Sequence, residues 1–251
     1  MNRRVLAALA LLGVLALAGC LGPSSIPEGE LTENATYDWE TNATTTFNLS
    51  RNSYATLVNV TNETTLSVNE RDALGTDSPV QVSALKFRFR NGTIVNASHA
   101  NLSAQTTQDS TVISLPARNG TVAYTDTRRG KSFGSPAFVT GSYEIVLVPN
   151  TRIGIPLLSQ GRPGGYSTRI SDSGRQVVRW ANVTRGAVNV QYYLQRDLLI
   201  FGTLFLGGLA IAVGGTVYYV RKIRRLERQR EDLGDEVEFE DEDGGPPPGM
   251  G

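Results

Sequence analysis

The stretch Leu85-Lys-Phe-Arg-Phe-Arg-Asn-Gly-Thr-Ile-Val95 decides the fold. Leu85, Phe87 and Phe89 alternate with Lys86, Arg88 and Arg90, the two-residue period of a strand with one apolar and one wet face. Asn91-Gly92 then supplies the pair that suits a type I′ turn, whose two central residues both need positive φ. The segment predicts a β-hairpin.

The same reading extends outward. Asn119-Gly120 predicts a second turn, joining a strand over 111–115 to one over 121–125. Residues 143–148 are nearly all apolar and stop at Pro149, as a strand at the centre of a sandwich would. Residues 176–183 and 187–194 flank Arg185-Gly186, and the second of these puts Val188, Val190, Tyr192 and Leu194 on one face. Shorter strands are expected at 44–49, 54–60 and 64–68, and the Gly/Pro-rich stretch 149–165 reads as a long loop. No sustained helical period occurs between Cys20 and Arg196. Eight to ten short strands at this spacing predict a mainly β fold, a single antiparallel β-sandwich-like ectodomain.

Two uncharged apolar stretches bracket that domain, and their lengths separate their meanings. Residues 5–18, behind Asn2-Arg3-Arg4, are too short to cross a ~30 Å hydrocarbon layer but suit the apolar region of a secretory signal. Arg3-Arg4 fits either a twin-arginine signal or an ordinary positive leader. The stretch ends in Leu17-Ala-Gly-Cys20, a lipobox-like site at which the only cysteine would take a lipid through its thiol. Residues 198–220 give 23 uncharged positions, enough to span a bilayer as a helix with some tilt. Arg221, Lys222, Arg224, Arg225, Arg228 and Arg230 follow it, whereas Arg196 beside Asp197 precedes it, so the C-terminal side is expected to face the cytoplasm. Tyr192, Tyr193, Tyr218 and Tyr219 sit where interfacial anchors belong. Gly208 with Ala212, and Ala210 with Gly214, form small-xxx-small pairs that would admit a second helix, a membrane-protein partner beside the lipid bilayer itself.

The expected organisation is therefore a signal peptide over 1–19, lipidated Cys20 and a flexible tether over 20–35, and the ectodomain over 36–196. A transmembrane helix over 197–220, a basic juxtamembrane helix over 221–233 and a disordered acidic Gly/Pro tail over 234–251 complete it. Ten Asn-x-Ser/Thr sequons lie in the ectodomain, at Asn34, Asn42, Asn48, Asn59, Asn62, Asn91, Asn96, Asn101, Asn119 and Asn182, and none in the tail. They are glycosylation candidates, since a hydrated glycan needs an exposed acceptor.

Chemistry is sparse. His99 is the only histidine and lies between two sequons, so neither a metal site nor a Ser-His-Asp arrangement is expected, and no cofactor. Lys86 and Lys131 sit on a polar strand face and in a loop, where neither would be desolvated enough to activate a serine. Arg118, Arg128, Arg129 and Lys131 form the densest basic group, read as a solvated loop or a site for an acidic glycan. With 16 basic against 13 acidic residues, the ectodomain carries too little charge for nucleic acid.

Leu17-Ala-Gly-Cys20, the Thr/Asn-rich ectodomain, Trp180-Ala-Asn-Val-Thr ahead of Tyr192-Tyr-Leu-Gln-Arg-Asp197, and the acidic Gly/Pro tail together resemble the uncharacterised membrane lipoproteins of haloarchaea. Arginine outnumbers lysine 21 to 3, in keeping with that source. The resemblance implies an address and an architecture but no mechanism. The expected role is non-enzymatic, an envelope component or accessory subunit; the alternatives are a ligand-binding or sensory module signalling through the helix, and an enzyme acting on surface polymers.

Overall fold

A computed structural model describes residues 24–71, 75–156 and 158–238, the last eight by backbone alone. Cys20 and the leader lie outside the described residues, as does the tail beyond 238. The chain divides into two units, residues 1–195 and 196–251.

The first unit is mainly β. Its largest sheet runs in the order β15 (Ser167–Ile170), β16 (Gln176–Val183), β12 (Gly141–Val146), β2 (Thr45–Leu49), β3 (Ser53–Thr61), β10 (Asn119–Thr127), β6 (Ser83–Phe89) and β7 (Ile94–Asn96). A second sheet orders β1 (Ser24–Ser25), β8 (Ser103–Thr106), β9 (Thr111–Ser114), β4 (Thr65–Arg71) and β5 (Asp77–Pro79). A third orders β11 (Ser132–Pro136), β17 (Ala187–Gln191) and β14 (Gln160–Arg162), and β13 (Thr151–Arg152) pairs with β18 (Tyr193–Leu194). Every pairing is antiparallel except β12 with β2, where Tyr143↔Thr45 through Val146↔Asn48 run parallel.

Alternation along the strands builds two cores against one sheet. The half formed by β3, β10 and β6 turns Val58, Val60, Val122, Tyr124, Leu85 and Phe87 toward Leu66, Val68, Ala104 and Ile113 of the second sheet. The half formed by β2, β12 and β16 turns Phe47, Leu49, Tyr143, Ile145, Val178 and Trp180 toward Phe133, Val188 and Val190 of the third. Phe133 seals that second core, its ring 5.0 Å from Phe47 and 4.9 Å from Tyr54. Each such side chain contributes about 1.5–3 kcal/mol on burial.

Beside that parallel pairing, sequence expectations and structure part at four places in the first unit. The Leu85–Val95 hairpin forms with Phe87↔Val95 and Arg88↔Ile94, but its loop has three residues. The Gly92 N–H donates to the Phe89 carbonyl, and in this loop positive φ is confined to Gly92, at +87°. That is a type I turn with a bulge rather than type I′. Asn119-Gly120 is no turn at all; both residues open β10. Glycine is required there for clearance, because a Cβ would fall 2.4 Å from Phe87 Cζ. The 149–165 loop carries β13 and β14.

The fourth difference concerns the tether. From Ser24 it is folded: β1 pairs with β8, and α1 (Glu28–Leu31) buries Leu31 in the first core. The chain then crosses the outer face of the large sheet, where Tyr37 covers Leu57, Ala84 and Ala123. The Tyr37 hydroxyl donates to the Ala84 carbonyl at 2.7 Å. Ala84 holds φ +50° at a bulge opposite β10, a conformation costly for alanine that this hydrogen bond helps to hold.

The second unit is α2 (Gln195–Glu238), a single helix of 44 residues. It continues through 234–238, five residues into the stretch expected to be a disordered tail. Glu236 and Glu238 are good helix formers, and the helix runs past the basic band although Gly234, Asp235 and Val237 are poorer ones.

Candidate functional site

The strand directions fix which ends of the first unit meet. β17 runs toward Tyr192 and the chain leaves the unit after β18; this is the exit end. β10 closes there, since Thr127 pairs with Ser53 at the start of β3 and the Arg128 N–H donates to the Asn52 carbonyl. β4 descends from the far end, and Val68 pairs with Thr111 at the foot of the β8–β9 hairpin. Ser24 pairs with Thr106 on that same hairpin. The first described residue and the last strand of the unit therefore lie at one end, although 170 positions separate Ser24 from Leu194.

The exit end is organised by Arg128, which is 7% exposed. Its guanidinium donates to the carbonyls of Ser50 at 2.8 Å, Gly130 at 2.8 Å and Ser132 at 3.2 Å, and to the Tyr192 hydroxyl. It lies 5.6 Å from the centre of the Tyr192 ring. Its Nε has no protein acceptor among the described residues. Arg128 thus ties the β2–β3 turn and the β10–β11 loop to the residue that leads into β18. Reading 128–131 as a uniformly solvated loop misses this: Arg129 and Lys131 are exposed, but Arg128 points inward. The inward period of β10, Val122, Tyr124, Asp126, extended by one step to 128, is the signal that could have found it.

Asp126, also buried, accepts from the Tyr54 hydroxyl at 2.8 Å and from the Thr127 N–H. Burial pushes its carboxyl up to about 6, against the pull of those two donors. On the outer face of the large sheet, buried Glu144 bridges Arg179 at 2.8 Å and Arg169 at 3.3 Å.

The sequons sort by position. Asn42, Asn62, Asn91 and Asn182 are exposed and lie at the far end, with half-buried Asn119 beside Asn62, whose N–H it accepts at 3.2 Å. Asn34, Asn96 and Asn101 are exposed along the side. Asn59 and Asn48 are engaged instead. The Asn59 amide donates to the Ala43 carbonyl at 2.9 Å and accepts from Thr121 at 2.6 Å, and Asn48 accepts from Arg175 at 2.7 Å. At the exit end, Asn52-Ser-Tyr and Asn150-Thr-Arg are not sequons.

A cleft of about 590 Å³ opens on the outer face of the third sheet, lined by Ser132, Gly134, Gln160, Arg162 and Asn189, with Arg71 at its rim. Arg71 is held by Asp77 at 2.8 Å. The cleft offers amides and guanidinium groups but brings no base to a nucleophile among the described residues. His99 is half-buried, with its Nδ1 accepting the Asn101 N–H at 3.4 Å. Lys86 donates to the Ala35 carbonyl at 2.5 Å.

In the second unit, an 18-residue window within Gln195–Arg230 has a mean hydropathy of 2.1, so the helix is long and apolar enough to cross a membrane. Gly208 and Ala212 share one helix face, and Ala210 and Gly214 lie about 200° around it at 100° per residue. A Cβ at Gly208 or Gly214 would meet nothing within 4 Å. The Thr203 and Thr216 hydroxyls bond back to the Ile200 and Ala212 carbonyls, so neither donor is left unsatisfied on the helix surface.

A β-rich domain followed by one helix long and apolar enough to cross a membrane fits a single-pass membrane protein. The chain belongs to a family of unknown function (DUF5803), whose match covers residues 41–238, from just before β2 to the last residue of α2. No curated protein matches it.

Proposed function

We propose that the chain is a lipid-anchored, single-pass protein of the cell envelope, presenting a glycosylated, non-enzymatic β-sandwich on the extracytoplasmic side as a structural or accessory subunit. The observation that carries this reading is that Ser24 and Leu194 lie at the same end of the sheets. Cys20 stands four residues before Ser24, and the uncharged stretch begins four residues after Leu194. One bilayer can therefore take both anchors without unfolding either edge. The distribution of sequons supports it, since exposed acceptors gather away from the exit end and leave it clear for a membrane. The cation run after the span supports an inward C-terminus. The small residues on two faces of α2 offer close approach to a partner helix.

Lipidation is tested by the intact mass of the mature protein purified from its own membranes. The expected species begins at Cys20 and carries a lipid adduct that disappears in Cys20→Ser. An unmodified chain beginning at Met1 would remove the lipid anchor from the proposal.

A further inference from the structure

A second cleft, of about 340 Å³, opens at the far end on the outer face of the large sheet. Its floor is one cross-strand row, in which Thr121 of β10 pairs with Asn59 of β3 on one side and with Arg88 of β6 on the other. The segment that follows Tyr37 forms one wall with Trp39, Glu40 and Thr41. The floor holds that wall in place. Arg88 Nη1 donates to the Trp39 carbonyl at 3.5 Å, and the Asn59 amide donates to Thr41 Oγ1 at 3.4 Å and to the Ala43 carbonyl at 2.9 Å. Thr121 gives its proton to Asn59 at 2.6 Å and keeps a lone pair with which to accept. Among the described residues, no hydrogen bond engages Arg88 Nε or Nη2, and the Glu40 side chain, 91% exposed, stands 3.9 Å from Arg88. A simple anion would meet Glu40 and a simple cation would meet Arg88. Donors, acceptors and half-buried Trp39 around one cavity instead match a sugar ring, whose hydroxyls both donate and accept around an apolar C–H face.

The rim points to where that sugar comes from. Asn42 follows Thr41, Asn62 follows Thr61, Asn91 follows Arg90 and Asn119 precedes Gly120, and each of those four neighbours lines the cleft. We infer that the cleft seats a sugar ring of a glycan carried on its own rim, with Arg88 and Glu40 as the contacting polar groups and Trp39 as the apolar wall. The inference rests on the glycosylated reading above and adds to it a place where a glycan folds back onto the domain. Tethering makes weak contact sufficient: a short flexible link holds its end at a millimolar effective concentration, so an affinity of that order fills about half of the clefts.

Acrylamide quenching of tryptophan emission tests this on the detergent-solubilised full chain, because Trp180 is 2% exposed and Trp39 therefore gives most of the quenched signal. Chain purified from its own membranes is compared with chain made in a host that lacks N-glycosylation. The quenching constant should be roughly twofold lower in the glycosylated chain, as a half-filled cleft requires, and independent of protein concentration. Arg88→Ala should leave the glycan masses unchanged and bring the two preparations to one constant. Amides within β3 and β10 should keep wild-type exchange protection in that variant, which separates a lost sugar contact from misfolding. Equal quenching of the two wild-type preparations, or a difference that survives Arg88→Ala, would overturn the inference and leave the glycosylated reading intact. Glycans found only away from the rim would do the same. A difference that fades on dilution would place the sugar on a second copy and overturn the assignment to the chain's own rim. A chain that carries no glycan in its own membranes would overturn both readings.

Discussion

Asp126 is where pH enters the stability of the first unit. Its folded carboxyl titrates at about 6, above the ordinary value of 3.8, because burial disfavours the charge. The stability it contributes is therefore complete below about pH 4 and lost as pH rises through 6. Asp126→Asn keeps an acceptor for the Tyr54 hydroxyl and removes the titration. Melting curves of the detergent-solubilised chain should show wild type losing about 2 kcal/mol relative to that variant between pH 4 and 7. A constant difference would assign the shift elsewhere. Arg128→Met should destabilise at every pH, by roughly 1–3 kcal/mol, because the carbonyls of Ser50, Gly130 and Ser132 lose a charged donor. The sequons divide in the same way. Glycopeptide mass spectrometry should find Asn91 and Asn182 modified and Asn48 and Asn59 bare, since the amide of Asn59 is already bonded within the sheet.

At the scale of elements, local period was legible and long-range contact was not. Leu85, Phe87 and Phe89 announce a strand because alternate residues share a face, and that strand is β6. Asn119-Gly120 misleads because the same dipeptide serves positive φ in a turn and clearance in a strand. Only Phe87, more than thirty positions away, decides between them. The parallel pairing of β12 with β2 leaves no local mark, since its register depends on strands nearly a hundred residues apart. Arg128 was hidden for a related reason: the basic run Arg128-Arg-Gly-Lys131 suggests solvent, and two of the carbonyls that enclose its guanidinium come from a separate turn. The N-terminal segment was read as a tether because it is polar and contains Pro and Gly, yet Leu31 and Ile26 dock it on the first core. Leu31→Ala should cost about 2–4 kcal/mol and release α1 and the segment across Tyr37 to proteolysis, leaving the β3–β10 pairing protected. Unchanged proteolysis would show that Tyr37, Ile26 and the β1–β8 pairing hold the segment without Leu31.

For the molecule as a whole, the proposal that both termini are anchored rests on the ends of the β-rich unit. Strand directions bring Ser24 and Leu194 to one end, and the sequence places a cysteine just before the first and a span just after the second. Cys20→Ser should leave the chain in the membrane fraction, because a spanning helix anchors far more strongly than one acylated residue. The most direct test of the account is labelling with a membrane-impermeant maleimide in intact and lysed cells, using Arg185→Cys in the exposed turn before β17 and Arg230→Cys after the span. Label on Arg185→Cys in intact cells, label on Arg230→Cys only after lysis, and retention of both through a carbonate wash is the expected result. Label on Arg230→Cys in intact cells, or release of the protein by carbonate, would contradict it.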